Sequence, residues 1–159
     1  MVWLVKFLSN LFMTKNINSM LDQATRLCTE RGARFTHTRQ KVLELMLIHG
    51  GSVSAYELLD SLKKTDVGAK PPTVYRALDF LLEQHFIHRV ESQNAFIACN
   101  HFSDNHQLQL LICEKCNEVQ ELHSLQIQQS LNEQARLNDF QIHNQTVEVR
   151  GLCHNCRQD

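Results

Sequence analysis

With 159 residues, 43% of them hydrophobic, and a formal net charge of −1, the chain suits one compact domain or two small ones and is too neutral for an indiscriminate polyanion binder. Each half alone is thinly cored, which calls for a metal staple or a dimer partner. Residues 20–98 carry ten Lys/Arg against nine Asp/Glu and residues 99–159 four against eight, so the second half favours metal capture over DNA contact.

The first 13 residues, MVWLVKFLSNLFM, are apolar but hold one Lys, with no basic region ahead of the apolar run and no small-residue cleavage pattern. They are too short to span a bilayer. Residues 1–19 are expected to be a dispensable extension, with Met13 or Met20 nearer the functional start. A membrane-surface anchor is the competing reading of that stretch; the expectation is a cytoplasmic protein with reduced thiols and no membrane association.

Taken in order, Leu21, Ala24, Leu27 and Cys28 fall at helical spacing between Met20 and Arg31, and Gly32 stops that helix. Cys28 reads as a small core residue. A second helix opens at Thr36-His-Thr38 with Thr38 as its N-cap, and it ends at Gly50-Gly51. Ser54-Ala-Tyr-Glu57 is a capping box for a third. Pro71-Pro72 precede a fourth, Thr73–Gln84, whose stripe is Val74, Ala77, Leu78, Leu81 and Leu82. Short β runs at 86–90 and 95–98 flank a turn at Ser92-Gln-Asn94. Helices followed by a hairpin are the order of a winged helix-turn-helix. Beyond residues 99–106, read as a hinge, strands are expected at 108–113 and 118–122, a helix at Leu125–Leu137 and a strand at Phe140–Val149. The fold class is therefore α+β: a winged helix-turn-helix domain (20–98) and a small C-terminal mixed α/β unit (107–159).

The strongest chemical signal is Cys113-x-x-Cys116 with Cys153-x-x-Cys156. Zinc takes four thiolates in a tetrahedron, and each pair supplies two adjacent corners. A redox dithiol would have one pair opening a helix after a strand; both pairs are expected instead in loops or hairpin turns. A second set, His88, Cys99, His106 and Glu121, is one sulfur, two imidazoles and a carboxylate, a combination that suits zinc. His101 and His123 are candidate substitutes within it. For nucleic acid, Arg76 on the fourth helix can read a guanine edge and Tyr56 can reach a base methyl or a phosphate. Thr73 and Tyr75 share the polar side of the fourth helix, and Arg34, Arg39, Lys41, Lys70 and Arg89 can meet phosphates. A plain amphipathic core helix with a solvated face fits the same pattern.

The segments KPPTVYRALDFLLEQ, FIHRVES, the Cys-x-x-Cys pair and GLCHNC resemble the ferric uptake regulator (Fur) family, in particular its zinc uptake regulator (Zur) branch, over about Met20 to Cys156. The resemblance implies a dimeric, non-enzymatic repressor on double-stranded operator DNA, with two Zn2+ per subunit and with the C-terminal α/β unit (107–159) as its dimerisation domain. It implies a structural zinc on Cys113, Cys116, Cys153 and Cys156, a sensing zinc on His88, Cys99, His106 and Glu121, and DNA contacts that include Tyr56 and Arg76. The competing readings are a same-fold sensor of iron, manganese or peroxide, a thiol-disulfide enzyme, and a zinc-stapled interaction module. With three residues after Cys156, a metal-handling role for a His-rich tail of the kind seen in some relatives is not expected here.

Overall fold

Four helices open the chain: α1 (Val2–Glu30), α2 (His37–His49), α3 (Ala55–Lys63) and α4 (Pro71–Glu83). The structure is a computed structural model that describes residues 2–99, 101–102, 107–143 and 145–158, with side chains from residue 16 onward. The spacing places Leu21, Ala24 and Cys28 of α1 against the core. The helix does not begin at Met20 as expected, since its backbone is helical from Val2 onward.

Thr36, not Thr38, caps α2: it is the last extended residue, and its carbonyl accepts the first helical bond from Gln40 N–H at 3.0 Å. Gly50 ends α2 at φ 69°, where its N–H reaches the Met46 carbonyl. Both bonds of the Ser54–Glu57 capping box form. Helix α4 starts at Pro71, ahead of the expected Thr73, because the first turn needs no N–H donors.

The wing is β1 (Ile87–Val90) and β2 (Ala95–Ala98), paired antiparallel around a 3-10 turn at Glu91–Gln93. Asn94 completes the reversal at φ 47°, a left-handed position that asparagine tolerates. Val53 bridges Phe96 through bonds of 2.8 and 2.9 Å, which ties the wing to the segment before α3.

The C-terminal unit comprises β3 (Leu108–Cys113), β4 (Val119–Leu122), α5 (Leu125–Leu137), β5 (Thr146–Gly151) and the short α6 (His154–Arg157). Its sheet order is β4-β3-β5, with β4 antiparallel and β5 parallel to the central strand. The expected strand at 140–149 is displaced to Thr146–Gly151. Pairing starts at Leu108 with Thr146, so the alternating residues before that point have no ladder to join.

Two apolar clusters result. One joins the helices through Val42, Leu43, Met46, Leu58, Leu78 and Leu81. The other sets Val90 and Ile97 of the wing against Leu108, Leu110, Ile112 and Val119 of the sheet. Helix α5 buries none of its described residues, and Leu125, Leu131 and Leu137 stand exposed. Among the described residues no helix is long and apolar enough to cross a membrane.

Leu81 is fully buried. Leu81→Ala is expected to lower unfolding free energy by about 2–5 kcal/mol in chemical denaturation at fixed metal content.

Candidate metal centres and nucleic-acid interface

The four-cysteine centre is built at one end of the sheet. Cys113 closes β3, and Asn117, at φ 59°, turns the chain back so that its N–H bonds the Cys113 carbonyl at 2.9 Å. The Glu114 N–H donates to the Gly151 carbonyl at 2.8 Å, which brings the end of β5 alongside. All four Sγ atoms of Cys113, Cys116, Cys153 and Cys156 then lie within 4.8 Å of one another. Cys116 and Cys153 are 3.7 Å apart, across the two pairs.

Cys113 is held down to about 6, first by the Cys153 N–H that donates to its sulfur and next by the Cys116 N–H. Cys156 is pushed up to about 12, first by burial and then by the neighbouring thiols. Thiols this close resist ionising together, and a divalent cation at their centre supplies the charge that lets them. The donor set therefore fits a structural zinc. One expectation is corrected: the cysteines are not all in loops or turns, since Cys113 ends β3, Cys156 lies within α6, and Cys153 is the N-cap of α6, two residues past the end of β5. A Cys-x-x-Cys opening a helix after a strand is the redox arrangement. Here the helix is only four residues long, and the thiol held low is Cys113, on the sheet.

The second centre spans the two halves of the chain. Alternation along the wing strands puts His88, Val90 and Ile97 on one face. Cys99 continues β2, with its N–H on the Phe86 carbonyl at 2.9 Å. Glu121 comes from β4. Ligand atoms of His88, Cys99 and Glu121 all lie within 4.8 Å of one another. Cys99 is fully buried and the Glu121 side chain is 1% exposed, so little water competes for either. Glu121 Oε1 is 3.8 Å from His88 Nε2 and 3.7 Å from His123 Nε2, and His123 stacks edge-on with His101 at 4.5 Å between centroids. His106 lies outside the described residues. A buried thiol, an imidazole and a carboxylate suit zinc, and the sulfur disfavours manganese and magnesium.

On the helical half Tyr56 is 73% and Tyr75 55% exposed, large rings left in solvent on α3 and α4. Arg76 and Lys70 are exposed beside them, Lys70 as the N-cap of α4, and Thr73 is half-buried. Other candidate cations are engaged inside the chain. The Arg39 guanidinium sits 3.7 Å over the Phe80 ring and donates to the Arg34 carbonyl. Lys41 pairs with Glu44 at 2.7 Å, and Arg89 pairs with Glu91 at 3.2 Å. One contact has no counterpart in the sequence reading: the Glu148 carboxylate on β5 receives the wing-tip N–H groups of Glu91 and Ser92. Its only signal was a polar residue alternating along a strand.

Comparison with known proteins gives a family match and several relatives. A model described as the ferric uptake regulator family matches residues 30–150. The zinc uptake regulation protein of Escherichia coli (strain K12) is 41% identical over 138 residues, covering 86% of this chain and 81% of that protein. A solved zinc uptake regulator complexed with zinc and DNA is 40% identical and superposes with a TM-score of 0.85, over 89% of this chain and 95% of that one. Holo XcZur is 43% identical with a TM-score of 0.81, over 89% of this chain and 99% of that one. Apo XcZur is 44% identical over 90% of this chain and 99% of that one, yet its TM-score is 0.54.

Replacing one corner of the four-cysteine centre, as in Cys153→Ser, is expected to cost one bound metal per chain by elemental analysis. The melting temperature should fall with it. Unchanged metal content in that variant would reject the centre.

Proposed function

The chain belongs to the ferric uptake regulator family, and from that premise we propose that it is a zinc-responsive transcriptional repressor of zinc uptake genes, cytoplasmic and non-enzymatic, that binds operator DNA as a dimer. Two zincs per subunit serve it. One, on Cys113, Cys116, Cys153 and Cys156, staples the C-terminal unit. The other, on His88, Cys99, His106 and Glu121, is the sensor.

The observation that carries this reading is the convergence of His88 and Cys99 from the wing with Glu121 from the C-terminal sheet. An ion gripped by all three joins the DNA-reading half to the dimerising half. The exposed leucines of α5 offer the apolar surface that a second copy would cover. In a two-fold dimer the two α4 helices must meet successive major grooves, roughly 34–36 Å apart or a multiple of that. Closing the wing onto the sheet restricts the separations that the pair can adopt.

Zinc has enough free energy for this work. Moving an equilibrium from 1:99 to 99:1 needs about 5.5 kcal/mol, and structural zinc binding is worth roughly 10–16 kcal/mol. The relatives support a metal-linked arrangement: at nearly equal identity, this chain superposes on the holo form of XcZur far better than on its apo form. Cys99 favours zinc over iron or manganese, because a thiolate is the softest donor in the set.

At the DNA, Tyr56, Tyr75, Thr73 and Arg76 face the groove and Lys70 meets a phosphate at the start of α4. Arg39, held over Phe80, would reach DNA only at its edge. Domain roles follow: 20–98 reads, 99–106 is the hinge and 107–159 dimerises.

The test is operator binding across free zinc concentration. Wild type should hold two zincs per subunit, one of them removable together with DNA affinity. Cys99→Ser should keep the dimer and the four-cysteine zinc yet lose zinc-dependent binding; a variant that still bound only on zinc addition would refute the ligand set. At saturating zinc, Arg76→Ala should weaken operator binding by about 1–3 kcal/mol and relax sequence preference. Lys70→Ala should instead lower the salt dependence by about one counterion, read from binding isotherms at several salt concentrations.

A further inference from the structure

Glu148 has no part in the reading above. On the sheet Leu110 pairs with Glu121 of β4 on one side and with Glu148 of β5 on the other. Directly paired residues project from the same face. One row of the sheet thus offers the wing a carboxylate, a fully buried leucine and a second carboxylate.

The two carboxylates meet opposite ends of the hairpin. Glu121 lies at the open end, with His88 and Cys99. Glu148 lies at the closed end, where Oε1 accepts from Glu91 N–H at 2.8 Å and Oε2 from Ser92 N–H at 3.2 Å. Between them Leu110 packs in the cluster with Val90 and Ile97. Beside the tip, the Ser52 hydroxyl donates to Gln93 Oε1 at 2.7 Å. Burial pushes the Glu148 carboxyl up, but the Ser92 hydroxyl and the Glu91 and Ser92 amides outweigh it, and Arg150 adds to them; the net position is below the ordinary glutamate range. The carboxylate is therefore ionised at neutral pH, and hydrogen bonds to it are of the stronger, charge-assisted kind.

We propose that Glu148 is a positioning residue of the switch: a metal-independent clasp on the wing tip that makes zinc binding at the other end of the hairpin fix the orientation of the DNA-reading half. This rests on the zinc-gated reading. An ion at one end alone leaves the wing free to swing about it. From His88 to Glu91 the chain makes three steps of about 3.3 Å, which separates the two attachments by roughly 10 Å, a lever long enough to resist that rotation. Because the clasp and the zinc favour the same closed arrangement, each strengthens the other.

The experiment uses the full chain with Glu148→Gln and Glu148→Ala. Glutamine keeps the shape but replaces one acceptor oxygen with a donor, facing N–H groups that also donate. Hydrogen exchange is followed at the Glu91 and Ser92 amides, and operator binding is titrated against free zinc. Both variants should stay dimeric and hold the wild-type zinc content at saturation. Those two amides should exchange faster, and half-maximal operator binding should need about tenfold more free zinc, equivalent to about 1.4 kcal/mol. Wild-type exchange at both amides, or a wild-type zinc midpoint, overturns the proposal. Faster exchange throughout the chain with a lowered melting temperature also overturns it, since that marks a general loss of stability. The wild-type titration separates the two ideas: if its operator binding ignored zinc, the sensor reading would fall, and this coupling with it, whatever the variants did.

Discussion

The wing packs through Val90 and Ile97 against Leu110 and its neighbours on the C-terminal sheet, and the rest of the molecule depends on that contact. A two-stranded hairpin is marginal by itself. This one is used on both faces: Ile87 and Phe96 join the helical cluster while Val90 and Ile97 join the sheet cluster. The hairpin is thus shared between the helical half and the C-terminal sheet, and whatever grips it sets their relation.

The two metal centres differ in what they hold together. The four cysteines all come from the C-terminal unit, at the ends of β3 and β5 and in the turns after them. An ion there would stabilise a three-stranded sheet to which helix α5 contributes no buried residue. The second centre takes two of its described donors from the wing and one from β4. Cys99 is also part of the helical core, and an ion held across this set would act on the mutual orientation of the two halves, as a reversible signal requires.

The surface proposed to face DNA shows a matching division. Arg39, over Phe80, ties α2 to α4, while Lys41 pairs with Glu44 within α2. The exposed rings of Tyr56 and Tyr75 and the exposed Arg76 are not needed for packing.

Much of this was legible in the residues themselves because the governing forces are local. Helix stripes, the Ser54–Glu57 box, the proline start of α4 and the paired Cys-x-x-Cys spacings each follow from chemistry within a few positions. The family resemblance supplied the roles of the scattered ligands, which spacing alone left open to His101 and His123. Where local signals competed, the reading slipped. Thr38 looked like a cap but Thr36 was one, and the alternation from Phe140 promised a strand that had no partner until Thr146. Only the tertiary structure decided that Glu121 and Glu148 flank Leu110 and face the wing at its two ends. Strand register is a long-range pairing, set by which chains lie side by side, and no stretch of sequence carries it alone.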